Sequence, residues 1–117
     1  IDVWATWCGP CIREKPSLKI IEKKYENKNI HFLSISIDER NRPVYNYNRW
    51  KEMVVEKDLV GIQLFADNAF NSKFIKAYGI DSIPRFLLID PDGNIVSGNA
   101  PRPSDPGLVD LFNSLGI

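Results

Sequence analysis

The sequence predicts an α/β domain built on one mixed sheet with helices on both of its faces. Three observations lead there. Short apolar or alternating runs are interleaved with segments of helical spacing, so that Ile1 to Ala5, Cys11 to about Glu26 and Ile30 to Ile37 read as strand, helix and strand. Two strands joined through a helix cross over right-handed and pair in parallel. Towards the other end, Arg85 to Asp90 and Ile95 to Ser97 are separated only by Pro91-Asp92-Gly93-Asn94, a turn short enough to make an antiparallel hairpin. Both kinds of pairing in one chain of 117 residues, 44% of them hydrophobic, give a mixed sheet around a single core.

Each element follows in turn. Ile1 to Ala5 is apolar except for Asp2 and reads as a buried strand. In the first helix, Ile12, Leu18, Ile21 and Tyr25 mark one face, and Pro16, which lacks an N–H, bends it so that one helix both presents its first turn and covers the sheet. Asn27 to Asn29 is a turn. Ile30 to Ile37 alternates as the second strand, with His31 at its outer end as a surface or hydrogen-bond-satisfied histidine. Asp38-Glu39-Arg40 closes that strand on the edge where the chain leaves Ala5, because parallel strands bring their carboxyl ends together. An insertion follows. Asn41 or Arg42 caps a helix with Pro43 in its first turn and Val44, Tyr47, Trp50 and Val54 on one face. Gly61 ends it and Ile62 to Ala66 is a short strand. Asp67 or Asn68 then caps a helix with Phe70, Phe74, Ala77 and Tyr78 inward, an aromatic stripe read as core, and Gly79 as its stop. Ile83-Pro84 opens the hairpin strand. Ser104 or Asp105 caps the last helix, with Pro106 at or near its first position and Leu108, Leu111, Phe112 and Leu115 on one face before Gly116.

Composition excludes several classes. Fifteen basic and fifteen acidic residues cancel, and neither a basic patch nor a polybasic run marks a nucleic-acid or membrane-surface footprint. No apolar run approaches the ~18 residues that span a bilayer. The chain starts without Met inside what reads as a central strand, so the expectation is a single domain over residues 1–117 whose N-terminal strand or strands and any leader lie outside it.

The chemistry is concentrated in Trp7-Cys8-Gly9-Pro10-Cys11, which holds both cysteines of the chain. Cys8 falls at a strand-to-helix junction, where free backbone N–H groups and the positive end of the helix dipole favour thiolate over thiol. Cys11, one turn on, can reach back and close a small disulfide ring. A structural zinc site needs four ligands, and the chain offers one histidine and no second cysteine pair, so no metal site is expected. Haem attachment needs a histidine after the second cysteine, where Ile12 stands. A disulfide across two residues restrains the unfolded chain little and makes a poor staple. Redox exchange is the remaining use, with the cysteine pair itself as the redox centre and no separate cofactor.

Ile1 to Cys11 resembles the active-site stretch of the thioredoxin superfamily, Pro16 matches the proline that kinks the family's active-site helix, and Ile83-Pro84 resembles its cis-proline. Within the superfamily the sequence is similar to the TlpA/ResA-type thiol:disulfide oxidoreductases of bacterial envelopes, because a long insertion separates the second strand from the cis-proline strand; Ala100 to Pro106 also looks like members of that branch. The resemblance implies a thioredoxin-like three-layer α/β/α sandwich, its mixed central sheet carrying an inserted helix-strand segment. It also implies a location in the periplasm or cell envelope, a disulfide-containing protein as substrate, and an upstream electron donor such as a membrane thiol-disulfide exchanger.

The expected roles are these. Cys8, at the exposed start of the helix, attacks a substrate disulfide and Cys11, more buried, resolves the mixed disulfide. Asp2 matches the buried aspartate beneath the family's cysteines, and a buried unpaired carboxylate has its pKa raised towards that of a general base. Glu39 stands at a position resembling the active-site glutamate of the ResA-type branch and is the second candidate. Trp7, Gly9, Pro10, Ile83 and Pro84 form the expected substrate-binding surface. Arg85 departs from the small hydroxyl residue usual after the cis-proline, and pairing with a nearby acid would weaken that acid as a base. The Gly-Pro spacer leans towards a reductant, near the thioredoxin potential of about −270 mV rather than the DsbA value of about −120 mV. The alternatives are a thiol peroxidase of the peroxiredoxin or glutathione-peroxidase-like type, whose reactive cysteine stands alone in its motif; a copper-delivering Sco-like module, for which His31 is misplaced; and a non-enzymatic binding module of the same fold.

Overall fold

A computed structural model describes residues 1–117. The elements run β1 (Asp2–Trp4), α1 (Gly9–Lys24), β2 (Leu33–Ser36), α2 (Tyr47–Glu56), β3 (Ile62–Phe65), a single 3₁₀ turn (Ala69–Asn71), α3 (Lys73–Ala77), β4 (Arg85–Phe86), β5 (Leu88–Ile89), β6 (Ile95–Ser97) and α4 (Gly107–Ser114). The main sheet has the order β3-β2-β1-β4. β1 pairs in parallel with β2, β2 in parallel with β3, and β4 runs antiparallel to β1, with Asp2 opposite Ser34 on one side and Phe86 on the other. β5 and β6 are the expected hairpin. Leu87 joins β4 to β5 and exchanges hydrogen bonds with Ile1 through the Ile1 ammonium (2.7 Å) and the Leu87 N–H (2.8 Å), so the strand expected over Arg85 to Asp90 runs nearly unbroken.

Side chains alternate across β1, and this sorts the layers. Asp2 and Trp4 point at α1, whose Lys15 reaches both. Phe86, opposite Asp2, clusters with Ile21 of α1, with Tyr25 at the carboxyl-terminal cap of that helix, and with Leu108 and Phe112 of α4. α2 lies beside α1, since Lys19 donates to the Lys57 carbonyl at 3.2 Å, and Trp50 packs on Phe65 with ring centres 5.3 Å apart. Val3 and Ile35 point to the opposite face and share a cluster with Ile75, Phe70 and Phe74.

Several boundaries differ from the sequence expectation, each for a local reason. α1 starts at Gly9, two residues early, because Pro10 fits the first turn, where no intrahelical N–H bond is lost. α2 starts at Tyr47 and not near Pro43: the Asn46 side-chain oxygen Oδ1 caps it by accepting the Arg49 N–H at 2.9 Å, and Val44 is left exposed. The helix expected from Asp67 or Asn68 is split. Ser72 takes an extended conformation and its hydroxyl accepts the Asn68 N–H at 3.0 Å, which ends the 3₁₀ turn and starts α3 afresh. The rotation that results buries Ile75 and turns Ala77 and Tyr78 outward. Gly79, at φ 64°, ends α3 as expected. Asp105 caps the amino end of α4 through a 2.9 Å bond from the Gly107 N–H, whereas Ser104 is bound to Glu14 of α1 and Leu115 faces solvent.

Candidate active site

The loop from β1 to α1 carries the cysteines and is fixed from below by a residue the sequence reading left aside. Asp38, fully buried at the carboxyl end of β2, accepts the Thr6 N–H at 3.0 and 3.2 Å, the Thr6 hydroxyl at 2.7 Å and the Ser36 hydroxyl. Three donors on one carboxylate, the Thr6 N–H shared between both oxygens, offset its desolvation and hold Thr6 in place two residues before Cys8. The Cys8 N–H bonds the Ala5 carbonyl at 3.1 Å, which completes the turn.

Cys8 is the N-cap of α1: its backbone is extended, and its sulfur accepts the Cys11 N–H at 3.2 Å. The two sulfurs are bonded as a Cys8–Cys11 disulfide with Cα atoms 5.2 Å apart. The sulfur expected at an exposed helix start is covered. Cys8 is only 5% accessible and Cys11 2%, because the capping position turns the Cys8 side chain back over the helix towards its partner. The exposed groups are its neighbours, Trp7 at 47% and Gly9, with the Arg13 guanidinium folded over Gly9 and Pro10 half-buried. A cavity of about 290 Å³ opens beside Trp7, walled by Ile37, Glu39, Arg42, Tyr45 and Phe70.

Ile83 packs against the cluster that holds both cysteines, and the Ile83-Pro84 peptide bond is cis. Val3 is paired with Arg85, so Pro84 stands level with Trp4 at the carboxyl end of β1, the end from which the cysteine loop leaves. Arg85 pairs with Asp81 at 2.9 Å and donates to the Gly98 carbonyl, which leaves both candidate bases free of it. His31 is exposed at the far end of β2, and no cluster of three His, Cys, Asp or Glu side chains is placed to hold a metal ion.

The two candidate bases occupy opposite environments. Asp2 is buried, as expected, but it is not unpaired: the Lys15 ammonium lies 2.6 Å from its carboxylate and the Ser34 hydroxyl 3.3 Å. Lys15 is itself buried, 3.9 Å over the Trp4 ring, and burial lowers its pKa against the opposing pull of Asp2 and Glu22. Glu39 lies on the surface in a two-pronged pair with Arg42 at 2.8 and 3.0 Å, and these hydrogen bonds hold its carboxyl below the usual range. An arginine does weaken one candidate base, but it is Arg42 of the insertion and not Arg85.

Lys15, Glu22 and Asp38 are the ionisable residues that sequence reading missed here. For two of them the signal was present. Cys11, Lys15, Leu18 and Glu22 are spaced four, three and four apart and are all buried, so the helix face that meets the sheet includes charged side chains. A second cavity, of about 610 Å³ and mostly apolar, lies at the amino end of β1 between Ile30 to Leu33, Leu88 to Ile89 and α4, away from the cysteines.

A sheet of this order with a closed cysteine pair at the head of α1 and a cis-proline strand beside it defines a dithiol domain of thioredoxin fold. The sequence matches the Redoxin family over residues 1–111, and the chain belongs to that family. It is similar to the thiol-disulfide oxidoreductase ResA of Bacillus thuringiensis subsp. konkukian, 29% identical over 82% of this chain and 50% of the relative, and to ResA of Bacillus subtilis, 23% identical over 82% of this chain and 49% of the relative. The chain thus spans about half the length of the curated relatives it matches. Among solved structures it superposes on the solution structure of a candidate thiol-disulfide oxidoreductase from Bacteroides vulgatus with a TM-score of 0.81 and 49% identity, covering 97% of this chain and 70% of the other. The C-terminal domain of a similarly described protein from Bacteroides thetaiotaomicron gives a TM-score of 0.78 at 27% identity, over 97% of this chain and 72% of the other.

Proposed function

We propose that the chain is a thiol-disulfide exchange domain that reduces disulfides in protein substrates. The observation that carries this reading is the Cys8–Cys11 pair, closed across the first turn of α1 and framed by the exposed Trp7 and the Ile83-Pro84 strand.

In the reduced form the Cys8 thiolate attacks one sulfur of the substrate disulfide. The Cys8-to-substrate S–S bond forms, the substrate S–S bond breaks, and the leaving sulfur departs as a thiolate. Free N–H groups at the head of α1 favour the Cys8 thiolate. Cys11 then loses its proton and attacks Cys8, which closes the disulfide found here and releases the second substrate thiolate. Asp2 is the acceptor for the Cys11 proton: Lys15, one turn beyond Cys11 on the same buried face of α1, is bonded to Asp2, so the carboxylate lies beneath the helix face that carries Cys11. Glu39, on the rim beside Trp7, is the second candidate, with Arg42 opposing it. Trp7, Gly9, Pro10, Ile83 and Pro84 offer the docking surface. Two electrons leave with the substrate in each cycle, so a dithiol donor must reduce the pair again. A cell-envelope location with a membrane thiol-disulfide exchanger as that donor is the setting the likeness to ResA supports; no helix of this chain is long and apolar enough to cross a membrane.

The test is the Cys11→Ala variant mixed in reduced form with a disulfide-bonded protein. It should accumulate a covalent complex that a small thiol releases, while Cys8→Ser forms none. Turnover of Cys11→Ala at the wild-type rate would defeat the assignment.

A further inference from the structure

The segment Asp81-Ser82-Ile83-Pro84, which carries the cis-proline to the end of β1 where the cysteine loop leaves, makes no backbone–backbone hydrogen bond. Ile80 before it is buried, with its N–H bonded to the Ile75 carbonyl at 3.0 Å, and after it Arg85 opens β4. Between those points the segment is held by the packing of Ile83 against the core and by one hydrogen bond from outside it, Arg85 Nη2 to Asp81 Oδ1 at 2.9 Å.

The other arm of the same guanidinium donates from Nη1 to the Gly98 carbonyl at 3.3 Å. Gly98 lies just past the end of β6 and also makes no backbone–backbone hydrogen bond. Two residues on, the chain is firmly placed: Ala100 is buried and its N–H bonds the Phe86 carbonyl at 2.8 Å. The Arg85 side chain is 15% accessible and that of Asp81 86%. Arg85 therefore starts from a strand residue paired with Val3, is braced at Gly98 and reaches outward to the loop. A planar guanidinium presents its donors in a rigid fork and so holds two acceptors in a set relation, which a flexible ammonium does not.

We propose that Arg85 is a positioning residue for protein substrates, tying the cis-proline segment to the Gly98 turn and so setting the line along which an extended substrate chain lies beside Cys8. This deepens the exchange reading above and rests on it. The backbone groups that Ser82 and Ile83 leave unpaired are those an extended chain can bond as it would a strand edge. Arg85 acts through that backbone, with both of its arms committed to Asp81 and Gly98. A small disulfide makes no strand-like contact and reaches Cys8 without the clamp, so loss of Arg85 falls on the binding of a protein substrate and not on the exchange step.

Two probes separate these. Steady-state reduction of insulin, with dithiothreitol returning the pair to the dithiol, gives KM and kcat; stopped-flow reaction of the reduced chain with a chromogenic aryl disulfide reads the reactivity of Cys8. Arg85→Met should raise KM for insulin about fivefold, with kcat and the aryl disulfide rate moving by less than about twofold. Arg85→Lys, which can reach one acceptor but not both, should fall between Arg85→Met and wild type. Asp81→Ala removes the outer arm at an exposed position where an ion pair adds little to stability, and it should raise KM about threefold. That variant decides the matter if Arg85→Met does not fold. A KM for Asp81→Ala within about 1.5-fold of wild type, or an equal loss with both probes, would overturn the positioning role. A wild-type chain that reacts with the aryl disulfide but not with insulin would also overturn it while leaving exchange chemistry in place, whereas one that reacts with neither would remove the exchange reading itself.

Discussion

Glu22 makes the domain's stability depend on pH in a direction opposite to that of an ordinary salt-bridged carboxylate. Burial pushes its pKa from 4.5 up to about 7, against the pull of Lys15. A carboxyl whose folded pKa is raised binds its proton more tightly in the native state than in the unfolded chain. Its favourable contribution is complete below about pH 4.5 and is lost as the pH rises to about 7. At roughly 1.36 kcal/mol per pH unit, a rise of this size has a ceiling of about 3 kcal/mol. Glu22 touches water at the margin of the core, which lowers the figure to about 1–2 kcal/mol. Glutamine cannot ionise, so Glu22→Gln should gain about 1–2 kcal/mol on wild type between about pH 5 and about pH 8, or roughly 4–8 °C in the difference between their melting temperatures. Urea unfolding of both proteins across that range measures it, and taking the difference cancels every group the two share. A difference between the variants that does not change with pH would refute the argument, and so would one of opposite sign.

Two further outcomes follow from the buried polar groups. Asp38→Asn should cost about 2–3 kcal/mol by denaturant unfolding, because an amide cannot accept from Thr6 N–H, the Thr6 hydroxyl and the Ser36 hydroxyl together; a loss under about 0.5 kcal/mol would mean that the cysteine loop does not depend on this anchor. Lys15→Met should destabilise by about 3–5 kcal/mol by leaving Asp2 charged and unpaired, and the double change Asp2→Leu with Lys15→Met should recover most of that loss; additive losses in a double-mutant cycle would contradict the pairing.

The strands, the hairpin and the cysteine pair were legible because each rests on local pattern: an apolar run, a four-residue turn, a two-residue spacer. What eluded the sequence depends on tertiary contact. Ser72 splits the third helix through a hydrogen bond to Asn68, and no periodicity announces that choice. Asn46 rather than Pro43 sets the start of α2 because its side chain reaches both Arg49 and the Arg42 carbonyl. Asp2 was correctly placed in the interior, but its partner Lys15 lies outside the apolar positions Ile12, Leu18, Ile21 and Tyr25 that mark the face of α1 in the sequence. Reading Cys11, Lys15, Leu18 and Glu22 as one stripe would have found it. Asp38 was read as the end of a strand, and only the crossing of the loop at Thr6 shows what the carboxylate does.

The redox equilibrium of the Cys8–Cys11 pair in graded dithiol buffers, read by thiol alkylation and mass, bears most directly on the exchange function. A reversible two-electron couple near or below about −270 mV is the expected result and marks a reductant. A potential near about −120 mV would contradict the reducing role and mark an oxidant. A pair that does not open and close reversibly would contradict thiol-disulfide exchange itself.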